Sequence, residues 1–89
     1  MSVFSISYDL NSPGQKYTQI HSVLESFPGY VHLMDSTWLV STQLNSQQLL
    51  DKFKPMLDGN DKLFISKVNA SEYSGWLSDK EWGWITNHT

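Results

Sequence analysis

The chain opens with apolar and polar residues in alternation from Val3 to Tyr8. A period of two is typical of a strand with one buried face. The pattern therefore predicts a first strand with one row of side chains in a core. That row holds Phe4, Ile6 and Tyr8, and the other holds Val3, Ser5 and Ser7, with Asp9 at its edge.

Two later segments repeat apolar residues every three or four positions, as one face of an amphipathic helix does. The first lies between Pro13-Gly14, which ends the strand, and Pro28-Gly29, which stops the helix. The second follows Asn45, an N-cap with Gln48 at the capping-box position, and Pro55 is expected to kink or end it. The stripes are Tyr17, Ile20, Leu24 and Phe27, then Leu49, Leu50, Phe53, Met56 and Leu57.

Two segments rich in β-compatible residues predict the remaining strands, from Tyr30 to Thr42 and from Lys62 to Val68. Asp35-Ser36 predicts a hairpin turn within the former, although a single bent strand is the alternative. The run Asp58-Gly59-Asn60-Asp61 indicates a turn before the latter. The order of elements predicts an α+β, ferredoxin-like βαββαβ fold, an antiparallel sheet with two helices on one face. The other face is expected to be open, for a second subunit or a ligand to cover.

With 89 residues, 39% of them hydrophobic, the chain is long enough for one domain over residues 1–89. A domain of this size gains stability by burying a sheet face in a homodimer. The tryptophan-rich C-terminal tail, about 69–89, is expected to pack against the body or a second subunit. Its candidate interface residues are Trp76, Trp82 and Trp84.

The charge pattern argues against strong nucleic-acid binding. The formal net charge is −3, and the six basic residues are scattered lysines with no arginine among them. Arginine supplies the bidentate contacts to phosphate and guanine, so its absence removes the usual means of recognition. A dimer could still gather lysines across its axis, which leaves a nucleic-acid partner open.

Other chemistries have little support. The chain has no cysteine, which excludes disulfides, thiolate metal sites and a cysteine nucleophile. The three histidines lack ligand spacing, and Asp58 and Asp61 favour a plain turn over a calcium site. No signal peptide or membrane span is visible, which predicts a cytoplasmic protein.

Three segments resemble the small SinR-like family. They are Ser7-Tyr8-Asp9-Leu10 before Pro13-Gly14, Ser36-Thr37-Trp38-Leu39-Val40 with Thr42, and Leu57-Asp58-Gly59-Asn60-Asp61-Lys62-Leu63, and the resemblance covers roughly residues 3 to 68. This family is related to the CRISPR adaptation endoribonuclease-like proteins and to virulence-associated protein D. The resemblance implies a ferredoxin-like fold, a homodimer, and an aspartate at the first strand end as the proposed metal ligand.

Asp9 is the residue that maps onto that aspartate. The resemblance implies a catalytic and metal-binding role in which Asp9 of two subunits holds one ion, for which Mg²⁺ or Mn²⁺ suits carboxylate and water ligands. A cap or turn former is the structural alternative. Trp38 is a candidate for the dimer interface or for base stacking, and core packing is the alternative.

These observations favour a small dimeric interaction or scaffold protein, with a protein partner possible and no strong catalysis. Two alternatives remain. One is a metal-dependent ribonuclease that uses Asp9 from both subunits, and the other is nucleic-acid binding without cleavage.

Overall fold

The computed structural model describes residues 1–11 and 15–89. The predicted break at Pro13-Gly14 lies outside these residues. In chain order the elements are β1 (Ser2–Asp9), α1 (Gln15–Leu24), β2 (Gly29–Met34), β3 (Thr37–Thr42), α2 (Ser46–Phe53), a 3-10 turn (Lys54–Met56), β4 (Lys62–Lys67) and α3 (Asp79–His88).

The four strands form one antiparallel sheet in the order β2-β3-β1-β4. Strand β1 is central, and its Ile6 lies opposite Trp38 of β3 and Ile65 of β4. Strands β2 and β4 are the two edges. The prediction of an α+β protein with an antiparallel sheet is confirmed, and the arrangement is compatible with a ferredoxin-like fold.

The main core lies between the sheet and helices α1 and α2. The alternation in β1 is confirmed, since the predicted inward row is buried against both helices. Each fully buried side chain of this size contributes about 1.5–3 kcal/mol relative to exposure. The fully buried members are Phe53, Ile6, Ile20, Leu24, Leu49 and Val40.

The expectation of an open reverse face is wrong. The C-terminal segment, predicted as an irregular tail, ends in helix α3, which packs on that face. Val3 and Leu39 of the sheet and Ile85 of α3 form a second, smaller core there. The helix supplies apolar surface that the sequence pattern had assigned to a second subunit or a ligand.

Gly29 allows the last turn of α3 to approach β2 closely. A side chain at this position would place its Cβ 3.0 Å from Nε2 of His88 and 3.2 Å from the Cβ of Ser41. The sequence predicted Gly29 only as a helix stop. The structure gives it a second role, because a larger residue would require the His88 side chain or Ser41 to shift by a few tenths of an ångström.

The local signals in the middle of the chain are confirmed. Residues Asp35-Ser36 form the turn of a two-strand hairpin, so the single bent strand is excluded. Asn45 caps α2 through a reciprocal capping box with Gln48. The α-helix ends at Phe53, and Pro55 lies in the 3-10 turn that follows. Within the described residues, none of the helices has the length and apolar character needed to cross a membrane.

Candidate functional site

Asp9 ends strand β1 and is exposed. It lies opposite Lys62 of the edge strand β4, in an open groove of about 460 Å³ that Ser7 and Phe64 also line. Within residues 1–11 and 15–89, no three His, Cys, Asp or Glu side chains are grouped so that they could hold a metal ion. A metal at Asp9 stays a prediction.

Asp61 forms a structural anchor. Its carboxylate accepts hydrogen bonds from Lys16 Nζ (2.6 Å), from the backbone N–H of Asn11 (2.8 Å) and from that of Asp58 (2.9 Å). These three contacts, with Lys16 the strongest, lower the pKa of Asp61 to about 2. Asp58 also accepts from Lys16 Nζ at 3.0 Å, which lowers its pKa. The two aspartates thus tie the turn before β4 to the segments on either side of residues 12–14.

A hydrogen-bonded relay joins β3, β1 and α1. Trp38 Nε1 donates to the Tyr8 hydroxyl at 3.1 Å, and that hydroxyl lies 3.0 Å from Nε2 of His21. An indole N–H can only donate, so the Tyr8 oxygen accepts from Trp38, and the tautomer of His21 sets which of the Tyr8 hydroxyl and the His21 ring donates to the other. Burial raises the pKa of Tyr8, which favours the protonated hydroxyl. Tyr8 is therefore a core residue whose polar end is satisfied.

His32 extends the relay into an aromatic cluster at the edge of the sheet. Its ring stacks on Trp38 with centroids 4.3 Å apart, and its Nε2 donates to the Asp35 carbonyl at 3.1 Å. The rings of His21 and His32 meet edge-on, with centroids 5.4 Å apart. These contacts hold α1 against the β2–β3 hairpin.

The four tryptophans predicted as possible interface residues lie in three environments. Trp38 is 3% exposed and belongs to the main core. Trp82 and Trp84 of α3 are half-buried against the reverse sheet face. Trp76, in the connection before α3, is fully exposed. A role for Trp76 in an interface stays a prediction, and the other three already contribute to packing within the chain.

The edge strand β4 presents a large apolar side chain to the surface. Phe64 is 71% exposed, while its neighbours Leu63 and Ile65 pack against the main core. A second groove, of about 230 Å³, lies on the α2 side of the same strand. Sequence reasoning missed this feature. The signal was the apolar run from Leu63 to Ile65, because alternation prevents three consecutive side chains from facing the same core.

Comparison with family models, with curated proteins and with solved structures found no match to this chain.

Proposed function

We propose that this chain is a small cytoplasmic interaction protein of the SinR-like group, with a ferredoxin-like βαββαβ fold, that acts as a homodimer without strong catalysis. The observation that carries the proposal is the free edge of β4 with Phe64 exposed at its centre. An edge strand presents unpaired backbone N–H and C=O groups, which favours pairing with another strand.

Antiparallel pairing of two β4 strands about Phe64 gives a favourable register. Phe64 would lie opposite the partner's Phe64, and Leu63 would lie opposite the partner's Ile65. Lys62 would lie opposite the partner's Ser66, so the two lysines of β4 do not oppose their own copies. Aromatic and aliphatic cross-strand pairs each contribute about 0.2–1 kcal/mol. The two-fold axis closes the assembly, since each copy uses the same edge.

The expected affinity is modest. Burying an exposed phenylalanine contributes about 1.5–3 kcal/mol for each copy. Each net backbone hydrogen bond adds about 0.5–1.5 kcal/mol, and the entropy of association opposes both. A dimer with a dissociation constant in the micromolar to millimolar range follows from this balance.

The test is sedimentation equilibrium over micromolar to millimolar protein concentrations. The natural chain should associate to a dimer, and Phe64→Lys should remain monomeric because a charge replaces the central apolar contact. Met34→Lys is the matched control, since Met34 is 56% exposed on the opposite edge strand. A natural chain that stays monomeric, or loss of the dimer in Met34→Lys alone, would contradict the proposal.

The metal-dependent ribonuclease is the rival, favoured by the exposed carboxylate of Asp9 at a strand end. It requires a different dimer. In the β4-paired assembly, the two copies of β1 are separated by three strand-to-strand distances across the sheet. The two Asp9 positions are also offset by about four residues along the strands, so they lie about 20 Å apart. Two carboxylates that share one Mg²⁺ must each place an oxygen about 2.0–2.1 Å from it, which this separation does not allow.

Asp9→Asn tests the rival directly. We expect no hydrolysis of single-stranded RNA by the natural chain with Mg²⁺ or Mn²⁺. Metal-dependent hydrolysis that disappears in Asp9→Asn would replace the scaffold proposal with the nuclease. Salt-dependent retention of RNA or DNA without hydrolysis would instead support a binding module.

A further inference from the structure

A small apolar cavity lies between the sheet and the C-terminal segment, away from both Asp9 and the β4 edge. Its volume is about 220 Å³. The floor is the reverse face of the sheet, and the walls are α3 and the connection that precedes it. Its aliphatic lining consists of Leu33, Leu39, Val68, Leu77 and Ile85.

One wall of this cavity is aromatic. Tyr73 and Trp82 stack with ring centroids 6.1 Å apart and an interplanar angle of 22°. Tyr73 is 40% exposed, whereas Leu39 and Ile85 are each only 4% exposed. The cavity is therefore open toward Tyr73 and closed at its floor.

Besides the two aromatic residues, the described lining has two small polar side chains, Ser5 on β1 and Ser74 in the connection. No charged side chain is among the described residues that line the cavity. An ionised ligand would lose its hydration without an opposite charge to replace it. A neutral aromatic molecule with one hydroxyl group could pack its ring against the apolar walls and place its hydroxyl near one of the serines.

We propose that this cavity binds a small uncharged aromatic molecule of the phenol class. The volume exceeds that of apolar cavities of about 150 Å³ that admit benzene. Because the cavity is open on one side, its apolar walls are in contact with solvent, and a bound ring would remove that apolar surface from water. Pockets of this kind use an apolar lining for affinity and a few polar groups for orientation. This site is independent of the dimer proposed above.

The probe is p-cresol, followed through the methyl resonances of Leu33 and Leu39. We expect saturable shifts at those methyl groups at millimolar p-cresol or below. Benzoate, which has a similar size and a negative charge, should not produce them. Absence of saturable shifts with p-cresol, or equally strong binding of benzoate, would overturn the proposal.

Cavity-filling variants locate the site. Ser5→Leu should weaken p-cresol binding by about tenfold or more, because its side chain occupies the volume. The matched control is Ser66→Leu, since Ser66 lies opposite Ser5 on β4 but outside the cavity lining. Val68→Phe fills the same cavity from another wall and replaces Ser5→Leu if that variant does not fold. Unchanged affinity in the folded filling variant would refute the assignment. Ser5→Leu should dimerise as the natural chain does, because Ser5 lies on the central strand β1 and not on the β4 edge.

Discussion

At the scale of single residues, Asp61 shows how one carboxylate can organise a connection. Its side chain has no exposed surface, and it joins Lys16 and Asn11 to the turn before β4. The sequence marked Asp58-Gly59-Asn60-Asp61 as a turn, which is correct. Its partners lie more than 40 residues away, so no local pattern could reveal them.

Asp61→Asn should change the acid dependence of stability. The pKa of Asp61 is about 2 in the folded chain against an ordinary value of 3.8. The stability it contributes is therefore complete above about pH 4 and is lost as the pH falls toward 2. The variant should be less stable than the natural chain at pH 7 and should lose less stability between pH 4 and pH 2.

Urea unfolding at pH 7, 4 and 2.5 measures this difference. Asp51→Asn is the control, because the Asp51–Lys54 pair is 3.6 Å long and both side chains are more than half exposed. Exposed pairs of this kind contribute about 0–1 kcal/mol. If the free energy of unfolding depends on pH equally in Asp61→Asn and in the natural chain, Asp61 does not act as an anchor.

At the scale of elements, helices α2 and α3 begin with the same capping motif and differ in the core that they help to form. Asn45 and Ser78 each cap a helix through a reciprocal capping box. Helix α2 buries Leu49 and Phe53 in the main core, whereas α3 buries Ile85 in the smaller one. The box of α2 was visible in the sequence. The box of α3 lay in Ser78 and Glu81, within a segment where tryptophans obscured the helical period.

Replacement of each cap by alanine should show that α2 supports the stability of the whole protein and that α3 supports mainly its own attachment. Loss of an N-cap costs about 0.5–2 kcal/mol. Asn45→Ala should lower the global free energy of unfolding, because α2 belongs to the main core. Ser78→Ala should mainly raise local opening of α3, which amide hydrogen exchange detects residue by residue. An equal effect of both variants on global unfolding would show that α3 unfolds together with the sheet.

At the scale of the whole molecule, the sheet separates two cores of unequal size. Among the residues that the structure describes, the main core holds eleven buried residues, and the second holds three with a cavity beside them. Because the second core is smaller, α3 covers the reverse face and still leaves this cavity beside it. The unequal cores also leave β4 outside the cover of α3, so that Phe64 remains exposed.

Ile20→Ala and Ile85→Ala compare the two cores with the same substitution. Ile20 of α1 is fully buried in the main core, and Ile85 of α3 is 4% exposed in the second core. Substitutions of this kind cost about 2–5 kcal/mol, and the cost depends on how far the surroundings relax. Ile20→Ala should lie near the upper end and Ile85→Ala near the lower end in urea unfolding. A larger cost for Ile85→Ala would mean that the second core dominates stability.

The sequence by itself determined the local elements of this protein. Alternation in β1, the hairpin at Asp35-Ser36, the cap at Asn45 and the stop near Pro55 depend on residues close along the chain. It also placed Asp9 correctly at a strand end. Only the tertiary structure decided that α3 covers the reverse face, that Asp61 holds Lys16, and that Phe64 stays exposed at an edge. Those outcomes depend on which distant segments meet, and sequence periodicity indicates which face is apolar without indicating what will bury it.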